Sequence, residues 1–142
     1  GYGGLGIQTI QKILTTFPGL FQNFVFISVG VVDSGGFKGA AEIEALRRNV
    51  EDMLGKYVRL GNQIGVPSTY RMGIGTDVVQ EGAAICEELV KEFPQTTFFT
   101  GKLAFSDERW YQRLLHNETG GSLQKRLQLA GLTMVILPAK VV

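Results

Sequence analysis

Phe24-Val25-Phe26-Ile27-Ser28-Val29-Gly30-Val31-Val32 is an almost unbroken apolar run of nine residues. A strand with one wet face alternates apolar and polar residues. A short continuous run reads instead as a strand covered on both faces, and such strands belong to parallel sheets. Asp33-Ser34-Gly35-Gly36 breaks the run. Before it, Leu5 to Phe17 has a helical pattern that Pro18-Gly19 ends. After it, about Ala40 to Ile64 carries Ile43, Leu46, Val50, Met53, Tyr57, Leu60 and Ile64 in steps of three and four. That is one stripe along a helix. The spacing also fits a coiled coil, but flanking strands favour a helix laid over a sheet. Glu44 before Arg48 and Asp52 before Lys56 are i,i+4 pairs on its wet side.

The alternation continues. Ser68 to Gly75 is a strand, with Tyr70, Met72 and Ile74 on one side. Thr76-Asp77 caps a helix to Phe93 whose inner face carries Val79, Ala83, Cys86, Val90 and Phe93, and Pro94 stops it. Thr96 to Phe99 is a strand ended near Gly101, and Lys102 to Glu108 follows as a mobile loop. Arg109 to Leu115 and Ser122 to Ala130 are helical, and Thr133 to Leu137 is the last strand, closed by Pro138. Strands alternating with helices imply crossover units: a doubly wound, mostly parallel α/β sheet of about four strands with helices on both faces. The 142 residues make one domain. The turn-like run Gly1-Tyr2-Gly3-Gly4-Leu5-Gly6 normally follows a strand, so the domain is expected to be cut from a longer protein.

Composition excludes several function classes. Net charge is +1, too balanced for a basic nucleic-acid footprint or a polybasic membrane patch. With 44% hydrophobic and 19% charged residues the chain is globular rather than disordered. One cysteine and one histidine exclude an internal disulfide and a multi-ligand His/Cys metal site. The longest apolar run falls far short of the roughly 20 residues of a membrane helix, so these residues insert into no membrane directly.

Candidate ligand residues follow from the topology, because open parallel sheets bind ligands beyond the carboxyl ends of their strands. Asp33, Ser34 and Gly35 stand at one such end. Lys102 stands at another, either neutralising a phosphate or as a solvated lysine. Asn117, Gly120, Gly121 and Ser122 open the last helix, either as an anion-binding entrance or as a glycine-softened cap. Gly1-x-Gly3-x-x-Gly6 matches the dinucleotide fingerprint, but no strand precedes it, and Asp33 lies 27 residues beyond Gly6 where about 20 is usual. A helix start explains it better. His116 lacks a Ser or Cys partner, and Cys86 shares an apolar face, so both read as structural. Trp110-Tyr111, between Arg109 and Arg113, is a contact surface or half-buried packing. No paired-carboxylate or nucleophile motif is present.

From Phe24 onward the pattern resembles the universal stress protein fold from its second strand on. The segment Gly121-Ser122-Leu123-Gln124-Lys125-Arg126-Leu127 then Val135-Ile136-Leu137 is similar to that family's Gly-Ser, helix and final-strand ending. The resemblance implies an adenine nucleotide ligand. Two departures weigh against it: Gly101 and Gly120 are too far apart for the family's glycine loop, and the family's first strand is missing.

A wider resemblance rests on Tyr2-Gly3-Gly4-Leu5-Gly6-Ile7, Phe26-Ile27-Ser28-Val29-Gly30, Gly75-Thr76-Asp77-Val78-Val79, Arg113-Leu114-Leu115-His116-Asn117 and Met134-Val135-Ile136-Leu137-Pro138. Together these look like the soluble C-terminal region of bacterial amino acid permeases of the amino acid–polyamine–organocation superfamily. That resemblance implies a regulatory or assembly domain on the cytoplasmic side of the cell membrane, without catalysis or cofactor. Its partner would be the membrane portion of the same transporter, which holds the transported substrate. A homodimer is expected too, because an apolar edge strand at Thr133 to Leu137, or the gap left by the missing strand, invites pairing.

Overall fold

The computed structural model describes residues 4–32, 39–104 and 134–140. The elements are α1 (Gly4–Thr16), β1 (Phe24–Val31), α2 (Ala40–Gln63), β2 (Ser68–Gly75), α3 (Val78–Glu92), β3 (Phe98–Ala104) and β4 (Met134–Lys140). The chain is therefore mixed α/β, with helices and strands alternating from α1 to β3 as the sequence implies. Hydrogen bonds join the strands as two parallel pairs, β1 with β2 and β3 with β4. Contacts group into two units, Gly1–Tyr2 with Leu20–Leu89, and Gly3–Gly19 with Val90–Val142.

In the first unit β1 and β2 run in register from Phe24 opposite Ser68 to Val31 opposite Gly75. Their even-numbered residues face α2. The Phe26 ring stacks on Tyr57 at 5.4 Å between centroids. A methyl group built on Gly30 would lie 3.1 Å from Leu46 Cγ and 3.4 Å from Val50 Cγ2. The odd-numbered residues of β2 face α3, where the same construction on Gly73 meets Ile85 Cδ1 at 3.2 Å. The alternation of strand side chains thus feeds two helices, one on each face of this pair.

The line of α2 that reaches the sheet is Val50, Leu54, Tyr57 and Gly61, all buried, with Leu54 only 2% exposed. Leu46, Met53 and Leu60 are half-buried, and Ile64 is 44% exposed. The stripe expected from the sequence therefore shares Val50 and Tyr57 with the true contact line, while its Leu46, Met53 and Leu60 run along one flank. Leu54 and Gly61 were not in it, because Gly61 is selected for closeness rather than for apolarity. On the wet side Glu44 is met by Arg47, with 3.9 Å between Nε and Oε2. In α3 the buried residues are Gly82, Ala83, Cys86 and Leu89.

In the second unit α1 lies on β3 and β4, with Ile10, Ile13 and Phe98 buried. Phe17 and Phe99 meet with ring centroids 5.9 Å apart. Two expected boundaries are corrected here. Lys102 lies in β3 rather than in a loop, because pairing with β4 carries the strand through Gly101 and on to Ala104. Pro138 lies within β4 rather than ending it. A strand hydrogen-bonded on one side leaves alternate nitrogens outside the ladder, and a proline is tolerated there. The expected helices Arg109 to Leu115 and Ser122 to Ala130 lie outside the described residues.

Candidate functional site

Parallel pairing directs the carboxyl ends of β1 and β2 the same way. Val31 and Gly75 finish them side by side, and the Val32 N–H donates to the Gly75 carbonyl at 2.9 Å. The chain then turns through Thr76 and Asp77 into α3. Asp77 Oδ1 accepts the N–H of Val79 at 3.0 Å and of Gln80 at 3.1 Å. These are orphan donors of a first helical turn, so Asp77 is the N-cap. Four residues on, the half-buried Glu81 side chain folds back over the strand end. A methyl group on Gly75 would fall 2.6 Å from both Glu81 Cγ and Oε1. Gly75 is therefore small so that a carboxylate can rest on the strand terminus. The sequence marked Asp77 through its place before an apolar helix. Glu81 was missed, and its one signal is its place in that helix's first turn.

The geometry at this end is that of a capped helix beside a strand. Among the described residues no group of three or more His, Cys, Asp and Glu is placed to hold a metal ion. Cys86 is 3% exposed. Burial, reinforced by the negative charge of Glu87, pushes its thiol up to about 11. The neutral thiol is a poor nucleophile, so this cysteine is a small core residue, as its apolar face implies.

Of the expected ligand residues, Lys102 is the one within the described residues, in β3 opposite Pro138. Asp33, Ser34, Gly35, Asn117, Gly120, Gly121 and Ser122 lie outside them, as do His116, Trp110 and Tyr111. A hollow of about 180 Å³ lies on the outer side of α2, lined by Lys56, Arg59, Leu60 and Gln63. Small-molecule sites usually enclose about 300–1,000 Å³, so this hollow is a dent beside the helix. No helix among the described residues is long and apolar enough to cross a membrane. Comparison with protein-family models, with curated proteins and with solved structures finds no match.

Proposed function

We propose that this chain is a cytoplasmic regulatory or assembly domain of an amino acid–polyamine–organocation transporter, working through protein contacts rather than catalysis. The observation that carries the reading is the set of runs from Tyr2-Gly3-Gly4-Leu5-Gly6-Ile7 to Met134-Val135-Ile136-Leu137-Pro138, which together look like the C-terminal region of such permeases. In this reading the alternating helices and parallel strands are those of a doubly wound, universal-stress-protein-like fold. Helices α2 and α3 on opposite faces of the β1–β2 pair support that arrangement. The partners are the membrane portion of the same transporter and a second copy of the domain, with no nucleic acid involved.

A second reading, a nucleotide-binding module, draws on the parallel pairing, since strand ends such as Val31 and Gly75 are where open α/β sheets take ligands. It would use Asp33–Gly35, Lys102 and the Asn117–Ser122 segment. A thermal melt of the chain against ATP, ADP, AMP and cyclic dinucleotides separates the two. A ligand at 100 times its dissociation constant adds about 2.7 kcal/mol. Regulation through protein contacts predicts unchanged melting with every nucleotide. A shift of several degrees with one of them overturns it in favour of the second reading.

A further inference from the structure

β1 has one partnered edge. The Phe24 N–H donates to the Pro67 carbonyl at 3.0 Å, and the Val32 N–H to that of Gly75 at 2.9 Å. Even-numbered backbone groups therefore face β2, and those of Val25, Ile27, Val29 and Val31 point off the opposite edge. Among the described residues no strand pairs there. β1 itself carries none of the usual edge protections. β1 holds no charge, no proline and no bulge, and Val31 is 53% exposed.

α2 lies over the same pair, and one of its flanks stands on the side of this edge. Its residues above β1 are Leu46, over Gly30, and Tyr57, over Phe26, whereas Gly61 sits against Ser68 of β2. At about 100° per residue, Leu46, Met53 and Leu60 fall on the β1 side of the buried line. They recur every seven residues as a half-buried apolar ridge. The flank on the β2 side is mixed, carrying Arg47, Glu51 and Val58.

We propose that a second copy of this chain occupies this edge, pairing β1 antiparallel with its own counterpart about a two-fold axis through Ile27, with the two α2 ridges meeting above. This deepens the dimer of the proposed function and rests on that part of it. Three features fit the occupant. First, the ridge is self-complementary: about Met53, Leu46 of one copy meets Leu60 of the other. Second, the two symmetry centres coincide. Met53 lies about 10 Å along α2 from Leu46, and Ile27 about 10 Å along β1 from Gly30. Third, α2 lies over β1 and β2 alike. With strands about 4.8 Å apart, the two copies of α2 come about 9.6 Å apart, within the 8–10 Å of packed helices. The outer rim, Glu42, Asn49, Lys56 and Gln63, also recurs every seven residues. Across the axis it sets Glu42 against Gln63 and Asn49 against Lys56, with no like charges opposed.

Sedimentation of the full chain tests this with Met53→Glu, with Met53→Lys and with their equimolar mixture, folding being checked by circular dichroism. The wild type is expected at twice 15.5 kDa. Each variant is expected to sediment as a monomer, and the mixture to regain the dimer as opposite charges meet on the axis. Amide exchange adds a second readout: Val25, Ile27 and Val29 gain protection in the dimer and lose it on dilution. A dimer that survives both single substitutions, or whose odd-numbered β1 amides exchange freely, removes this surface but leaves dimerisation standing. A monomer at the highest attainable concentration removes both, and protected odd-numbered amides in that monomer assign the edge to another strand of the same polypeptide.

Discussion

Two glycines of α2 offer a test of the packing in which the same substitution has opposite signs. Glycine in a helix interior costs about 1 kcal/mol relative to alanine, through the backbone entropy it loses. At Gly55 a methyl group would meet Arg59 Nη1 at 3.5 Å, ordinary contact with the end of a flexible side chain. Gly55→Ala is therefore expected to stabilise the chain by about 0.5–1 kcal/mol. At Gly61 the methyl would meet Ser68 Oγ, with Ser68 Cβ 2.9 Å away and Phe26 Cε2 at 3.4 Å. Ser68 has little freedom to retreat. Its N–H donates to Asn62 Oδ1 at 2.9 Å, and its hydroxyl donates to the Val66 carbonyl at 2.8 Å. Overpacking of this kind costs about 1–3 kcal/mol, which cancels or exceeds the helical gain. The two alanine variants should thus differ by about 1–3 kcal/mol, the overpacking cost alone. That corresponds to about 2–4 °C in Tm per kcal/mol for a chain near this length. Urea and thermal unfolding of both variants measure the gap, and Ser68→Gly in the Gly61→Ala background should recover most of it as a coupling energy. Equal stabilisation by both substitutions, or the absence of coupling to Ser68, would refute the close approach of α2 to β2.

Two further expectations concern α3. Asp77→Ala should cost about 1 kcal/mol, because two N–H donors lose their acceptor, while Asp77→Asn keeps the cap; chemical denaturation of both variants checks this. Cys86 should resist alkylation near pH 8 in the folded chain and react on unfolding. Since its thiol is raised to about 11 from an ordinary 9.0, the folded state favours the proton. Its contribution to stability is then complete below pH 9 and is lost as the pH rises from there through 11. Unfolding of wild type and Cys86→Ala across that range measures it, with the wild type losing stability more steeply.

Much of the fold was legible because the signals are local. The nine-residue apolar run from Phe24 marked β1 as a strand covered on both faces, and α2 and α3 do approach opposite faces of its pair. Pro94, Pro18-Gly19 and Asp77 marked helix ends by removing or satisfying backbone groups. The misread places are those where a partner strand overrides a local break. Gly101 and Pro138 looked like ends, yet both continue strands, Gly101 opposite Leu137 and Pro138 opposite Lys102. Of the candidate site, Lys102 was placed in a loop by the same error. The carboxylate of Glu81 over Gly75 left no trace in spacing alone, since a helix's first-turn acid looks the same whether it meets solvent or a strand.

For the described elements, the sequence by itself determined their kinds, their order and their parallel character, because hydrophobic period, run length and turn residues act within a few positions of the chain. It also determined the balanced charge and the poverty of His and Cys that exclude whole classes of site. Tertiary structure alone decided which line of α2 is buried, which glycines are tight, and which edge of β1 lies open. Those outcomes depend on the distance between elements far apart in sequence. A one-residue shift along a helix turns a side chain by about 100°, and so converts a core position into a flank.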